Sequence, residues 1–133
     1  IILGWVMSTA GHIFVDRGRS EKSLKSLEKA KLSLIKMPRS VLLFPEGTRT
    51  RDGSLGQFKQ GGLLISVDTG IPIVPVAFKG TFEMLEKGSW SMKNHSVEMR
   101  VGKPISPYSY SYETRRKLAN DVKTKVQELL SKA

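Results

Sequence analysis

In LFPEGTRTR, residues 43–51, an apolar run ends in a proline, followed at once by a carboxylate, a glycine, hydroxyls and arginines. Arg49 and Arg51 offer planar guanidinium forks suited to phosphate or carboxylate, Thr48 adds a hydroxyl, and Gly47 permits close backbone approach. Lys59 stands just ahead of GGLL, where a helix begins. Its ammonium and the free amides of that helix N-terminus can therefore converge on the same anion. Glu46 would repel an anion unless it is committed elsewhere. Pairing with an arginine, and so orienting it, is the simplest role; binding a substrate hydroxyl is the other. The chemistry these residues offer is capture of a phosphate group. A solvated turn carrying arginines for solubility has the same composition, and the Walker A pattern does not decide between them: Gly47 and Gly53 are one residue too far apart, and no Gly-Lys-Ser/Thr follows.

Candidates for bond-making chemistry are few. Of the chain's two histidines, His12 forms an H-x-x-x-D with Asp16 inside the apolar GHIFVDR and reads as a strand residue. His95, in KNHSV with no acid four or five residues on, reads as a surface-turn residue. With no Cys there is no disulfide framework and no thiolate nucleophile or ligand, and no metal site is expected.

At 133 residues, 39% apolar and 26% charged, the chain has the composition of one globular domain with a real core. A net charge of +10 favours polyanions, whether nucleic acid, an anionic membrane surface or phosphorylated ligands. Nucleic acid is disfavoured, because the lysines and arginines are spread over several helices and loops and no aromatic-basic interleaving appears. The opening IILGWVMSTA is about half the length of the roughly 20 apolar residues a membrane span needs and lacks the positive start of a signal peptide. No transmembrane segment is expected within the chain, and its Ile start reads as entry in mid-domain.

The elements that must position the turn follow from periodicity. Ile13–Val15 is a short apolar run of the kind that forms a strand buried on both faces. Ser20 can cap an amphipathic helix carrying Leu24, Leu27, Leu34 and Ile35, with Pro38 ending it. SVLLF at 40–44 is a second buried strand, and the Gly- and charge-rich stretch after it is a loop. GLLISVDTG is a short helix with Leu63, Leu64 and Val67 on one side and Gly70 at its end. Ile71–Phe78 is a third strand, irregular or at an edge because of Pro72 and Pro75. Val97, Met99 and Val101 alternate with Glu98 and Arg100 in a strand with one exposed face, and Ser111 opens a closing helix with Leu118, Val122, Val126 and Leu129 inward. Strands alternating with helices predict an α/β domain with a mostly parallel central sheet flanked by helices. Ligands in such sheets bind beyond the carboxyl ends of strands, where Arg17 and the 46–51 turn both fall.

GHIFVDR at 11–17, FPEGTR at 44–49 and IPIVPV at 71–76 resemble, in order and spacing, sequence blocks of the PlsC-type glycerolipid acyltransferases, and FKQGG sits where that family often has a Lys-Gly segment. The resemblance covers nearly the whole chain and implies a glycerol-3-phosphate acyltransferase-like fold over residues 1–133 as a single domain. It implies transfer of a fatty acyl group from acyl-CoA or acyl carrier protein to the hydroxyl of 1-acyl-glycerol-3-phosphate, giving phosphatidic acid, with no cofactor beyond the co-substrate. Arg17, Glu46, Gly47, Thr48, Arg49 and Lys59 then bind the acceptor's phosphate and glycerol, while Ile71, Pro72, Ile73, Val74, Pro75 and Val76 lie near the acyl donor or chain. The family's N-H-x-x-x-x-D block, whose His is the general base and whose Asp orients it, has no counterpart here; the opening matches the stretch that follows it. The catalytic dyad and any membrane anchor are accordingly expected upstream of Ile1, and the isolated chain is expected to be inactive. The implied partners are a lysophospholipid, an acyl donor and an anionic membrane surface at the cytoplasmic face. A non-catalytic basic module that binds anionic lipid is the alternative from a different class.

Overall fold

The computed structural model of the protein describes residues 20–37 and 40–131. The chain divides into two compact units, Ile1–Val41 and Leu42–Ala133. In the first, α1 (Ser20–Lys36) forms where the sequence expects a helix. Its described inward positions are Ala30 and Leu34, one turn apart, whereas Ile35, expected to be inward, is 58% exposed. The strand expected at Ile13–Val15, and with it His12 and Arg17, lies outside the described residues.

The second unit is built on α2 (Gln60–Thr69), β1 (Val76–Lys79), a single turn of helix α3 (Thr81–Met84), β2 (Glu98–Val101) and α4 (Arg115–Ser131). Apolar residues at helical spacing on α4, Leu118, Val122, Val126 and Leu129, pack with Leu63 of α2, Ala77 of β1 and Phe58. Leu118 is completely buried. The helix starts at Arg115 rather than just after Ser111: the Thr114 hydroxyl accepts the Ser111 amide at 2.7 Å, and the Thr114 carbonyl accepts the amide of Leu118 at 3.1 Å.

β1 and β2 pair antiparallel, with Ala77 opposite Arg100 and Phe78 opposite Met99. The ladder resumes at an Ile73–Ile105 bridge, after the interruption that Pro75 and Pro104 impose by lacking amide donors. This is the irregular strand its prolines foretell. The pairing described is antiparallel; the parallel ladder expected of the first two strands is not present among the described residues. At 40–44 the expectation of a buried strand fails. Leu42 and Phe44 are 73% and 70% exposed, and no described segment offers this stretch a ladder. Leu43 lies against Gly62 of α2, where a Cβ would come 2.9 Å from its Cδ1.

β2 turns its alternation the other way round from the hydropathy pattern. Met99 and Val101 are exposed, and Arg100 lies on the packed face beside α4. A guanidinium can sit there because its fork is filled: Nε and Nη2 donate to the two Glu98 carboxylate oxygens at 2.6 and 2.8 Å, and Nη1 donates to the Leu129 carbonyl at 2.7 Å. The carbonyl belongs to the last turn of α4, where the helix dipole favours a cation. The Arg100 hydrogen bond holds the Glu98 carboxyl below its ordinary range.

Between the two strands runs a long connection whose base is clamped. Gly80 has φ near 90°, and a Cβ on it would fall 2.1 Å from the Ser96 carbonyl oxygen, so glycine alone fits on both grounds. The amide of Lys93 donates to the Met84 carbonyl at 2.8 Å and ties the two legs again farther out.

Candidate functional site

The FPEGTR segment enters a turn at Pro45, closed by the Gly47 amide donating to the Phe44 carbonyl at 3.1 Å. Gly47 has φ 68°. A side chain there would be strained, and its Cβ would lie 3.0 Å from the Lys59 ammonium, which occupies that space. Lys59 is held at the turn by its own backbone, whose amide donates to the Pro45 carbonyl at 2.8 Å, and by its neighbour Phe58, which is buried in the core. A lone aromatic in a Gly-rich, charged loop is the sequence signal for that anchor.

Glu46 has a different partner from the one its neighbours suggest. Its Oε2 accepts the Gly56 amide at 2.7 Å, and neither Arg49 nor Arg51 pairs with it among the described residues. The arginines are exposed, whereas the Gly56 amide is part-buried and needs an acceptor. Committing the carboxylate to an amide across the loop also resolves why an acid stands in an anion site: the loop is stapled from 46 to 56 by a charge-assisted bond. A second carboxylate organises the outer bend. Asp52 Oδ1 accepts the Ser54 hydroxyl at 2.6 Å, the Ser54 amide at 3.0 Å and the Thr50 hydroxyl at 2.9 Å. These bonds, Ser54's first, pull the Asp52 carboxyl down to about 2.

The loop borders an open cleft of about 390 Å³ lined by Glu46, Thr48, Thr50, Ser54, Gly56 and Lys59, with Phe58 and Gln57 completing it. Helix α2 starts directly after Lys59 with no side-chain cap and no acid in its first turn. Its free amides and the Lys59 ammonium are therefore both available to an anion. Of the residues expected to bind, the structure brings Glu46, Gly47, Thr48 and Lys59 together. Arg49 is adjacent in sequence but exposed, and its guanidinium makes no hydrogen bond or ion pair among the described residues. Arg17 lies outside the described residues. In the Ile71–Val76 stretch, Pro75 is buried and Ile73 packs on the core, while Pro72 and Val74 are exposed. His95 is exposed, with Cδ2 3.1 Å from the Cβ position of Gly80, and does not line the cleft.

Sequence reasoning missed Lys87. From the β1–β2 connection its Nζ donates to the Thr48 hydroxyl at 3.0 Å and to the Arg49 carbonyl at 3.2 Å. Phe82 of the same connection lies against Gly53, 3.3 Å from where its Cβ would be. The connection thus braces the turn at both ends of its outer arm. No local pattern marks Lys87, because its partners are 38 and 39 residues away.

The acyltransferase family model matches residues 1–79. The chain belongs to the acyltransferase family. The crystal structure of the 1-acyl-sn-glycerophosphate acyltransferase PlsC from Thermotoga maritima matches with a TM-score of 0.77 and 30% identity, over 98% of this chain and 52% of that one. This carries the α/β acyltransferase fold expected from the sequence. The chloroplastic 1-acyl-sn-glycerol-3-phosphate acyltransferase BAT2 of Brassica napus is 38% identical over 105 residues, 78% of this chain and 30% of the relative. LPAT1 of Arabidopsis thaliana, of the same description, is 34% identical over 96% of this chain and 34% of its own length. The chain thus spans about a third of these curated relatives and about half of the solved one. No helix among the described residues is long and apolar enough to cross a membrane.

Proposed function

We propose that this chain supplies the acceptor-binding part of an enzyme that transfers a fatty acyl group to the hydroxyl of 1-acyl-glycerol-3-phosphate, giving phosphatidic acid in phospholipid synthesis. The donor class is acyl-CoA or acyl carrier protein. Membership of the acyltransferase family and the names of the relatives support the reaction class. The observation that carries the binding role is the stapled turn, in which Glu46 is spent on the Gly56 amide while the Lys59 ammonium lies beside Gly47, directly ahead of the capless start of α2.

In this reading the acceptor phosphate meets the Lys59 ammonium and the α2 amides, and Arg49, without a described partner, closes over it as a bidentate fork. Thr48, positioned by Lys87, presents its hydroxyl to the glycerol. The family resemblance assigns Arg17, which lies outside the described residues, to acceptor binding as well. The exposed side of the proline-interrupted strand, Pro72 and Val74, meets the acyl chain, while Ile73 and Pro75 keep the strand seated. No described histidine lines the cleft, so the described residues bind and orient the acceptor rather than deprotonate it.

Titration calorimetry with glycerol 3-phosphate and with lysophosphatidic acid tests this directly. Arg49→Ala should weaken both about tenfold, the loss of one charge-assisted contact. Equal affinity for wild type and variant would sink the phosphate assignment. In an acyl-transfer assay, an Arg49→Ala variant that changes only the response to acyl donor would move Arg49 to the donor site.

A further inference from the structure

The β1–β2 connection carries a feature that acceptor binding does not use. At its tip Trp90 is fully exposed and Met92 is 69% exposed. The tip is not loose chain. The Ser89 amide donates to the Glu86 carbonyl at 3.1 Å, the Ser91 amide to the Ser89 hydroxyl at 3.1 Å, and the Lys93 amide to the Met84 carbonyl at 2.8 Å. Lys93 also pairs with Glu86 at 2.6 Å, across the stem. A folded stem therefore holds a tryptophan out in water, where its ring gains nothing from packing.

We propose that this tip is a membrane-contact loop that seats Trp90 and Met92 in the headgroup region of an anionic bilayer. Charge selects that partner. The whole protein carries a net charge of +10, an excess that draws it to anionic surfaces, while within the connection Glu83 and Glu86 balance Lys87 and Lys93. An exposed indole is a side chain that settles at the boundary between headgroups and acyl chains, burying the ring's apolar body while its N–H stays at the polar edge. Lys87, from the same connection, grips the Thr48 hydroxyl and the Arg49 carbonyl. A tip seated at headgroup depth thus holds the acceptor turn at the depth where a lysophospholipid presents its phosphate. The inference rests on the lipid-acceptor reading above for its purpose, though not for its measurement.

The chain's two tryptophans are Trp5 and Trp90, so Trp5→Phe leaves Trp90 as the sole reporter. On vesicles of phosphatidylglycerol and phosphatidylcholine, its emission should move to shorter wavelength and be quenched by brominated acyl chains. Pure phosphatidylcholine should give a smaller response. Trp90→Ser should weaken vesicle binding about tenfold while leaving glycerol 3-phosphate affinity unchanged, as its exposed position requires. An emission spectrum indifferent to anionic vesicles, or equal vesicle binding by Trp90→Ser, overturns the proposal. So does a Trp90 response to a soluble acidic protein such as acyl carrier protein without one to lipid. Arg49→Ala with soluble glycerol 3-phosphate tests the acceptor site with no bilayer present, so either inference can fail while the other stands.

Discussion

The turn at 44–59 and the frame made by α4, α2 and β1 belong to one compact unit, yet they are held by different forces. In the frame, Leu118, Val122 and Ala77 are almost wholly out of water, and the positions are set by apolar packing. The turn buries one side chain, Phe58, and is otherwise held by carboxylates that accept amides and hydroxyls within the loop. The frame therefore defines where the turn begins and ends, and the carboxylates define its path between. Charge that is satisfied internally leaves the cations of the turn free for a ligand.

Substitutions can separate the two kinds of support. Leu118→Ala should have the largest effect, opening a cavity in the packed frame and costing about 3 kcal/mol in urea unfolding. Glu46→Ala leaves the part-buried Gly56 amide without its acceptor and should cost about 2 kcal/mol, with faster hydrogen exchange at Gly56 as its specific mark. A frame-sized loss there would mean that the turn is part of the core. Tyr110→Phe removes the hydroxyl that donates to Asp121 at 2.7 Å and should cost about 1 kcal/mol.

A pH titration isolates the outer bend. The Asp52 carboxyl sits near 2 when folded, below its ordinary 3.8, so the stability its bonds to Ser54 and Thr50 contribute is fully present above the higher value and is lost as pH falls through the lower one. The Ser54 amide resonance should shift as pH passes through the lower value. Smallest of all, Arg49→Ala should change stability by under about 0.5 kcal/mol, since its guanidinium has no described partner. A larger loss would show that the residue supports the fold.

Much of the frame could be read from the sequence because burial leaves a periodic trace. The α4 stripe and the end of α2 at Gly70 are both where spacing puts them, and Pro75 interrupts the strand as its missing donor requires. Periodicity misled at β2, where the alternating valines and methionine face out. Arg100 could take the packed side only because Glu98 and a helix-end carbonyl, 29 residues away, fill its donors. At 40–44 a buried-strand composition met no described ladder, since hydropathy records a preference for burial and not the presence of a partner. Within the site, residue types suggest an anion and put Lys59 just ahead of a helix, and its ammonium lies beside Gly47, a contact that spacing does not record. The Glu46–Gly56 staple and the Lys87 brace were hidden, because each is a contact between residues with no shared periodicity.

The close approach at Gly80 has a consequence for how this surface can vary. With Ser96 fixed against it and Met84 bonded to Lys93, the two legs of the connection have a set gauge at the base. Residues between Ser89 and Met92 can be exchanged, lengthened or shortened above that gauge without shifting Phe82 or the strands below. The base works as a socket and the tip as an interchangeable fitting, so one scaffold can be matched to surfaces of different composition by changing a handful of residues.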